Sequence, residues 1–251
     1  MSAPSIKSAA EITAMREGGK ILARILHETA TQVRPGITTK ELDLFAENLM
    51  KKYDVAPSFK GYNGFPAVLC TSVNEEVVHA IPGKRVLHEG DIISIDGGVI
   101  HKGLHSDACV TVGVGKIDDK NRHFIETAYR ALESALAELR PGARAGDVGA
   151  AIEKFVGSRG YSVTHDFIGH GIGYKLHEPP EIPNYGKRGK GPLFLPNMTI
   201  CIEPIILMGE RYTKTLEDDW TAVSKDGSRA CQVEHTILIT EDGYEVLTKL
   251  E

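Results

Sequence analysis

Four carboxylates and one imidazole stand in places that ordinary packing does not explain. Asp96 closes the apolar run Asp91-Ile92-Ile93-Ser94-Ile95-Asp96, and Asp107 lies in the β-rich run Ser106-Asp107-Ala108-Cys109-Val110. They flank a turn near His101-Lys102-Gly103, so a hairpin is expected to face them with Cβ atoms ~4.5–5.5 Å apart. Two carboxylates that close repel strongly unless a proton or a cation lies between them. Taken alone, the pair reads more readily as hairpin aspartates turned to water. Glu203 shifts that balance, because Ile200-Cys201-Ile202-Glu203-Pro204-Ile205-Ile206-Leu207 is too apolar for a surface. Glu234 likewise precedes Thr236-Ile237-Leu238-Ile239. A buried carboxylate is costly unless paired or metal-bound, and neither run contains an Arg or Lys.

His170 sits in Gly169-His170-Gly171-Ile172-Gly173, with Leu176-His177-Glu178-Pro179-Pro180 just downstream. The flanking glycines are expected to let the backbone approach a ligand without Cβ clashes. No Gly-Lys-Ser/Thr follows, so this is a poor phosphate loop. Hard oxygen donors with one nitrogen and no thiolate suit Mn²⁺, Fe²⁺, Co²⁺ or Zn²⁺. Asp96, Asp107, His170, Glu203 and Glu234, with carboxylates able to bridge, fit a two-metal site with ions ~3.5–4 Å apart.

The elements that must position these residues are written twice. Residues 9–33 carry Ile12, Met15, Ile21, Leu22, Ile25 and Leu26 at helical spacing and end at Arg34-Pro35-Gly36. Thr38 and Glu41 then offer a capping box for a helix bearing Leu42, Phe45 and Leu49. Further on, Ala128, Leu132, Ala135, Leu136 and Leu139 form another stripe, ended by Arg140-Pro141-Gly142. Asp147 opens a fourth helix with Val148, Ala151, Ile152 and Phe155. Each half then supplies an apolar run closing on an acid, Asp96 or Glu203, and a later acid, Asp107 or Glu234. This order implies an internal duplication. With no Pro/Gly/Ser-rich linker between the halves, roughly 9–115 and 120–245, the chain 1–251 reads as one α+β domain. Its sheets should be mostly antiparallel, backed by helices on one side.

Composition sets the remaining bounds. The 251 residues are 41% hydrophobic and 25% charged, with net charge −5 and no long basic run. That balance fits a globular protein with no specific nucleic-acid partner. Cys70, Cys109, Cys201 and Cys231 form no C-x-x-C pair and read as buried, reduced thiols of a cytoplasmic protein. Met1 to Ser8 lacks the apolar core of a signal peptide, and no run approaches the ~20 apolar residues of a membrane span.

The Gly-His-Gly-Ile-Gly motif with His177-Glu178 downstream, the Asp96 and Asp107 hairpin, Ile202-Glu203-Pro204 and Val233-Glu234-His235-Thr236 together resemble the type I methionine aminopeptidases. The likeness spans essentially the whole chain. It implies the pita-bread fold of that family, whose pseudo-two-fold symmetry agrees with the duplication. It also implies two divalent cations, with Asp96 on one, His170 and Glu203 on the other, and Asp107 and Glu234 bridging both. His79 matches the histidine that touches the substrate amide, and His177 the one that contacts the scissile carbonyl. The methionine pocket would be lined by Phe59, Tyr62, Phe65, Cys70, Leu176 and Trp220. Three positions depart from the commonest pattern: Ala80 for Gly, Asn63 for His, and Leu176 for Phe, the last at the rim of the pocket.

On this reading the chain excises the initiator methionine from nascent polypeptides, preferring a small second residue. A metal-activated water attacks, His177 helps stabilise the oxyanion, and Glu203 shuttles a proton to the leaving amine. Two rivals share the fold: a prolidase or aminopeptidase P, which carries a further N-terminal domain for which this chain has no room, and a non-catalytic binding module, which loses metal ligands. The chain is expected to act as a monomer. The basic loop Lys187-Arg188-Gly189-Lys190 offers a transient ribosome contact, although a solvated surface loop accounts for it more simply.

Overall fold

The computed structural model describes residues 4–250. The first three residues of the Met1–Ser8 segment read above lie outside them, as does residue 251. The first half runs α1 (Ala9–Ala30), α2 (Thr39–Lys52), β1 (Ala56–Pro57), β2 (Leu69–Val73), β3 (Glu76–Val78), β4 (Ile92–His101) and β5 (Leu104–Gly113). The second runs α3 (Asp119–Leu136), α4 (Ala145–Gly157), β6 (Ser162–Val163), β7 (Gly169–Gly171), β8 (Glu178–Ile182) and β9 (Thr199–Ile202). It continues with β10 (Ile205–Leu207), β11 (Thr213–Thr215), β12 (Ala222–Ser224), β13 (Ala230–Gln232), β14 (Glu234–Ile239) and β15 (Tyr244–Val246).

The repeat read in the sequence is a repeat of hydrogen bonds. Gly36 and Gly142 end the two Arg-Pro-Gly turns at φ 88° and 86°, a left-handed backbone that glycine adopts without strain. The Gly36 N–H donates to Leu87 O (2.8 Å) and the Gly142 N–H to Phe194 O (3.0 Å). In return Leu87 N–H donates to Ile37 O (2.8 Å) and Phe194 N–H to Ala143 O (2.9 Å). The residues before α2 and α4 each make an isolated antiparallel bridge, Thr38 with Val86 and Arg144 with Leu193.

Small boundary differences have local causes. The first helix stops at Ala30 rather than 33, and Thr31 caps it by donating to His27 O. Leu139 is buried but lies in the turn beyond α3. Asp147 does not open α4; it sits in the first turn, where its carboxylate accepts the Arg144 N–H at 2.8 Å. The Thr38–Glu41 capping box forms as expected, and Ser8–Glu11 forms a second at the start of α1.

A nine-stranded sheet runs β1-β4-β5-β14-β9-β7-β8, with β2 also on β4 and β15 also on β14. Every pairing in it is antiparallel. The halves meet at β5–β14, where Glu234 faces Cys109 and His235 faces Ala108. Each half keeps its own apolar core. One gathers Leu22, Leu26, Leu42, Ile93 and Ile95; the other gathers Ala128, Leu132, Val148, Ile152 and Ile200. Helix α1 packs on β4 and β5, while α3 packs on α4. A third cluster, including Met15, Phe65, Ile172 and Cys201, lies between them under the site. All four cysteines are free and buried. Among the described residues no helix is long and apolar enough to cross a membrane.

Candidate metal centre

The β4–β5 hairpin turns at Lys102-Gly103, both at positive φ (49° and 79°), as a tight two-residue turn requires. Its register pairs Asp96 with Cys109 and Gly98 with Asp107. The two aspartates are therefore not directly opposite, as the sequence suggested, but diagonal neighbours on one face. The turn is centred one residue beyond the midpoint of Asp96 and Asp107, so Asp96 meets Cys109, two residues past Asp107, and both aspartates stay on one face. Diagonal side chains still reach one another. Glu203 follows β9 and Glu234 opens β14, and the β14–β9 register brings those ends together.

Unpartnered buried atoms mark what this cluster is built for. Asp96 Oδ1, Asp107 Oδ1 and Glu234 Oε1 are buried without a hydrogen-bond partner among the described residues. One oxygen from each of these three carboxylates falls within a mutual 4.8 Å. Orphaned buried acceptors are rare because leaving them unsatisfied is costly. Burial first, then the neighbouring Glu234 and Asp96, push the Asp107 carboxyl well above its ordinary range. Burial raises Asp96 to about 7; burial and then repulsion from Asp96 and Asp107 raise Glu203 strongly, and burial and then repulsion from Glu203 and Asp96 raise Glu234. Four such groups cannot all ionise in a dry space without positive charge among them. Divalent cations satisfy both the orphaned lone pairs and the charge, so the donor set fits them.

His170 is prepared for the same task. Its Nδ1–H donates to Gly171 O at 2.9 Å, which leaves the Nε2 lone pair free, 3.9 Å from Glu203 Oε1. Burial drops its pKa to about 3, so the ring is neutral. The glycines beside it serve a different purpose from the one expected. A Cβ on Gly169 would lie 2.4 Å from Cys201 O, and one on Gly171 would lie 2.2 Å from Pro179 O. They admit the neighbouring strands rather than a ligand. Cys201 also places its thiol within 4.8 Å of donor atoms of His170 and Glu234. Burial holds that thiol protonated.

The five residues line a cavity of about 260 Å³ together with His79, His177, Phe59, Tyr62, Phe65, Cys70, Leu176 and Trp220. Every site residue inferred from the sequence is on that wall. Phe65 and Trp220 meet edge to face with ring centres 5.0 Å apart. His79 has φ 58°, a strained backbone for a side-chain-bearing residue, of the kind that persists where the surroundings over-determine it. Its ring meets Phe167 edge-on, and burial followed by repulsion from His177 lowers its pKa to about 4. The His177 ring centre is 4.4 Å from that of His170, and its pKa is also lowered by burial and His105.

Two further residues face the cavity. Asn63, noted only as a departure, occupies a left-handed turn at φ 48°. Gln232 was overlooked: its Nε2 reaches Glu203 Oε2 at 3.4 Å, and its side chain also hydrogen-bonds Asp96. Strand alternation places it on the same face as Glu234, a signal the sequence did contain.

A carboxylate cluster with one neutral imidazole, opening onto an apolar pocket, defines a metal-dependent hydrolase. Comparison with known proteins gives the family. Metallopeptidase family M24 matches residues 13–241. Methionine aminopeptidase 1 of Bacillus subtilis is 47% identical over 97% of this chain and 98% of its own length. The methionine aminopeptidase of Clostridium acetobutylicum is 45% identical over 98% of this chain and 99% of its own. The solved structure of the Thermotoga maritima methionine aminopeptidase superposes with TM-score 0.97 at 44% identity, covering 99% of this chain and all of that one (100%). The Pyrococcus furiosus prolidase shares the fold alone, with TM-score 0.78 at 24% identity over 98% of this chain and 66% of that one. The chain belongs to metallopeptidase family M24. It is a metal-dependent enzyme with the pita-bread fold.

Proposed function

We propose that this chain removes the initiator methionine from nascent polypeptides and prefers a small second residue. The observation that carries this is the single cavity joining the carboxylate cluster to an apolar pocket. Asp96 would hold one divalent cation, His170 and Glu203 a second, and Asp107 and Glu234 both. The pair, Co²⁺, Mn²⁺, Fe²⁺ or Zn²⁺, supplies Lewis acidity and a water acidified toward neutrality.

The chain's own groups do the rest. Glu203 takes the proton of the attacking water and passes it to the leaving amine. His177 donates to the scissile carbonyl as its oxygen becomes anionic. His79 contacts the substrate amide. Phe59, Tyr62, Phe65, Cys70, Leu176 and Trp220 hold the flexible thioether. The free α-amino group binds at the Asp96 side, which restricts cleavage to the first residue. We infer one catalytic domain, 1–251, acting as a cytoplasmic monomer. Ribosome docking through residues 187–190 has less support, since Arg188 already pairs with Glu138 through two hydrogen bonds of 2.6 and 2.9 Å.

The test is release of free methionine from Met-Ala-Ser and Met-Leu-Ser peptides across the four metals, beside an X-Pro peptide. Met-Ala-Ser is cleaved fastest and the X-Pro bond is left intact. Preferential X-Pro cleavage would move the chain to the prolidase reading.

A further inference from the structure

His177 can assist the carbonyl only if the nitrogen facing the substrate carries a proton. A neutral imidazole has one N–H, and which nitrogen bears it is set by the hydrogen bond the other makes. In this structure Nδ1 of His177 lies 2.8 Å from the Tyr62 hydroxyl, and the rings meet edge to face at 5.3 Å. We propose that Tyr62 is a positioning residue: its hydroxyl donates to Nδ1 and thereby holds His177 with its proton on Nε2, as a hydrogen-bond donor to the substrate carbonyl. This deepens the aminopeptidase reading above and rests on it. It gives Tyr62 a role beyond lining the methionine pocket.

Both partners are held where this requires. Tyr62 lies in a tight turn between Gly61 (φ 89°) and Asn63 (φ 48°), with Gly64 (φ 88°) closing it. The turn is tied by Gly61 N–H to Phe65 O (2.8 Å), Tyr62 N–H to Phe59 O (2.9 Å) and Phe65 N–H to Tyr62 O (2.9 Å). On the other side, Lys175 N–H donates to Glu178 Oε1 at 2.8 Å, bracing the loop that carries His177. The buried Lys7 ammonium meets the other oxygen of Glu178 at 3.3 Å. The hydroxyl is therefore delivered to Nδ1 by two braced loops, and Nε2 is the other nitrogen of a ring that lines the cavity.

Tyr62→Phe removes the hydroxyl and keeps the ring. The zinc-loaded protein, with ¹⁵N-labelled histidine, is examined by NMR, and Met-Ala-Ser kinetics are measured for Tyr62→Phe, His177→Ala and the double variant. Expected are a protonated Nε2 and bare Nδ1 on His177 in the parent, and a mixture of tautomers in Tyr62→Phe. The kcat of Tyr62→Phe falls roughly tenfold, while KM stays within about twofold. In the His177→Ala background the same change costs nothing further, because the group it acts through is gone. A proton on Nδ1 in the parent, a loss confined to KM, or an equal loss with His177 absent would each overturn the proposal. If the parent instead releases no methionine while His177 keeps its Nε2 proton, the functional reading fails and the hydrogen-bond assignment stands.

Discussion

The two halves share one frame and use it differently. In the first half, β4 and β5 are joined by the two-residue Lys102-Gly103 turn, and two short aspartates lie on one hairpin. In the second, β9 and β14 are adjacent strands, but β10 to β13 intervene in sequence. That excursion does not stay in its own half. Its β11–β12 hairpin pairs with β3, with Ala222 opposite Val78, and so brings Trp220 and His79 to the same cavity. The repeated frame places the charge; the unrepeated segment adds Trp220 to a substrate wall whose other residues come from 59–79 and from the loop at Leu176 and His177. A duplicated fold becomes an enzyme for one class of substrate where its symmetry is broken.

The largest effect expected from this comparison falls on the two acids given equal roles. Asp107→Asn and Glu234→Gln each remove a negative charge while barely changing size. Both should drop methionine release below about a thousandth of the parent rate, ~4 kcal/mol of lost transition-state stabilisation, with the fold retained by circular dichroism. If either variant turns over near-normally with two metals bound, the halves do not contribute matched bridging ligands.

Histidines sharpen the contrast next. His170→Ala should weaken metal occupancy, with activity partly restored at high metal. His177→Ala should keep both metals yet lose ~10²–10³ in kcat, the usual worth of one oxyanion donor. His79→Ala should also keep its metals while substrate positioning fails. Calorimetric metal titration beside steady-state kinetics separates the three. Loss of a metal from His177→Ala, with both retained in His170→Ala, would reverse the assignment.

What could be read from the sequence follows the same division. Asp96 and Asp107 lie on one hairpin, so local turn signals nearly suffice, and the two-residue difference in register comes from a turn centred one residue further along. Glu203 and Glu234 are neighbours through long-range pairing, and only their apolar surroundings betrayed them. The walls, Phe59, Leu176 and Trp220 among them, were reached through family resemblance, since spacing alone reads such residues as ordinary core. The need for glycine on both sides of His170 comes from crowding by β8 and β9, which sequence does not place. The strained His79 backbone depends on tertiary contacts in the same way.

The smallest effect tests the frame itself. Helix α2 begins with a full capping box: Thr38 Oγ1 accepts the Glu41 N–H at 3.2 Å, and Glu41 Oε2 accepts the Thr38 N–H at 2.8 Å. At the equivalent place α4 keeps only the second contact, Arg144 N–H to Asp147 Oδ2 at 2.8 Å, because an Arg side chain has no acceptor to offer. The Arg144 guanidinium instead donates to Gly191 O at 2.8 Å on an exposed surface. Thr38→Ala should therefore cost ~1 kcal/mol, and Arg144→Ala about 0.5 kcal/mol or less. Arg144→Thr supplies the missing cap oxygen and should stabilise by roughly 0.5 kcal/mol after the loss of the Gly191 contact. Urea unfolding of the metal-loaded protein at constant m-value measures all three. Equal losses from the two alanine variants would mean that the shared backbone bridges, Thr38 with Val86 and Arg144 with Leu193, hold the helix starts by themselves.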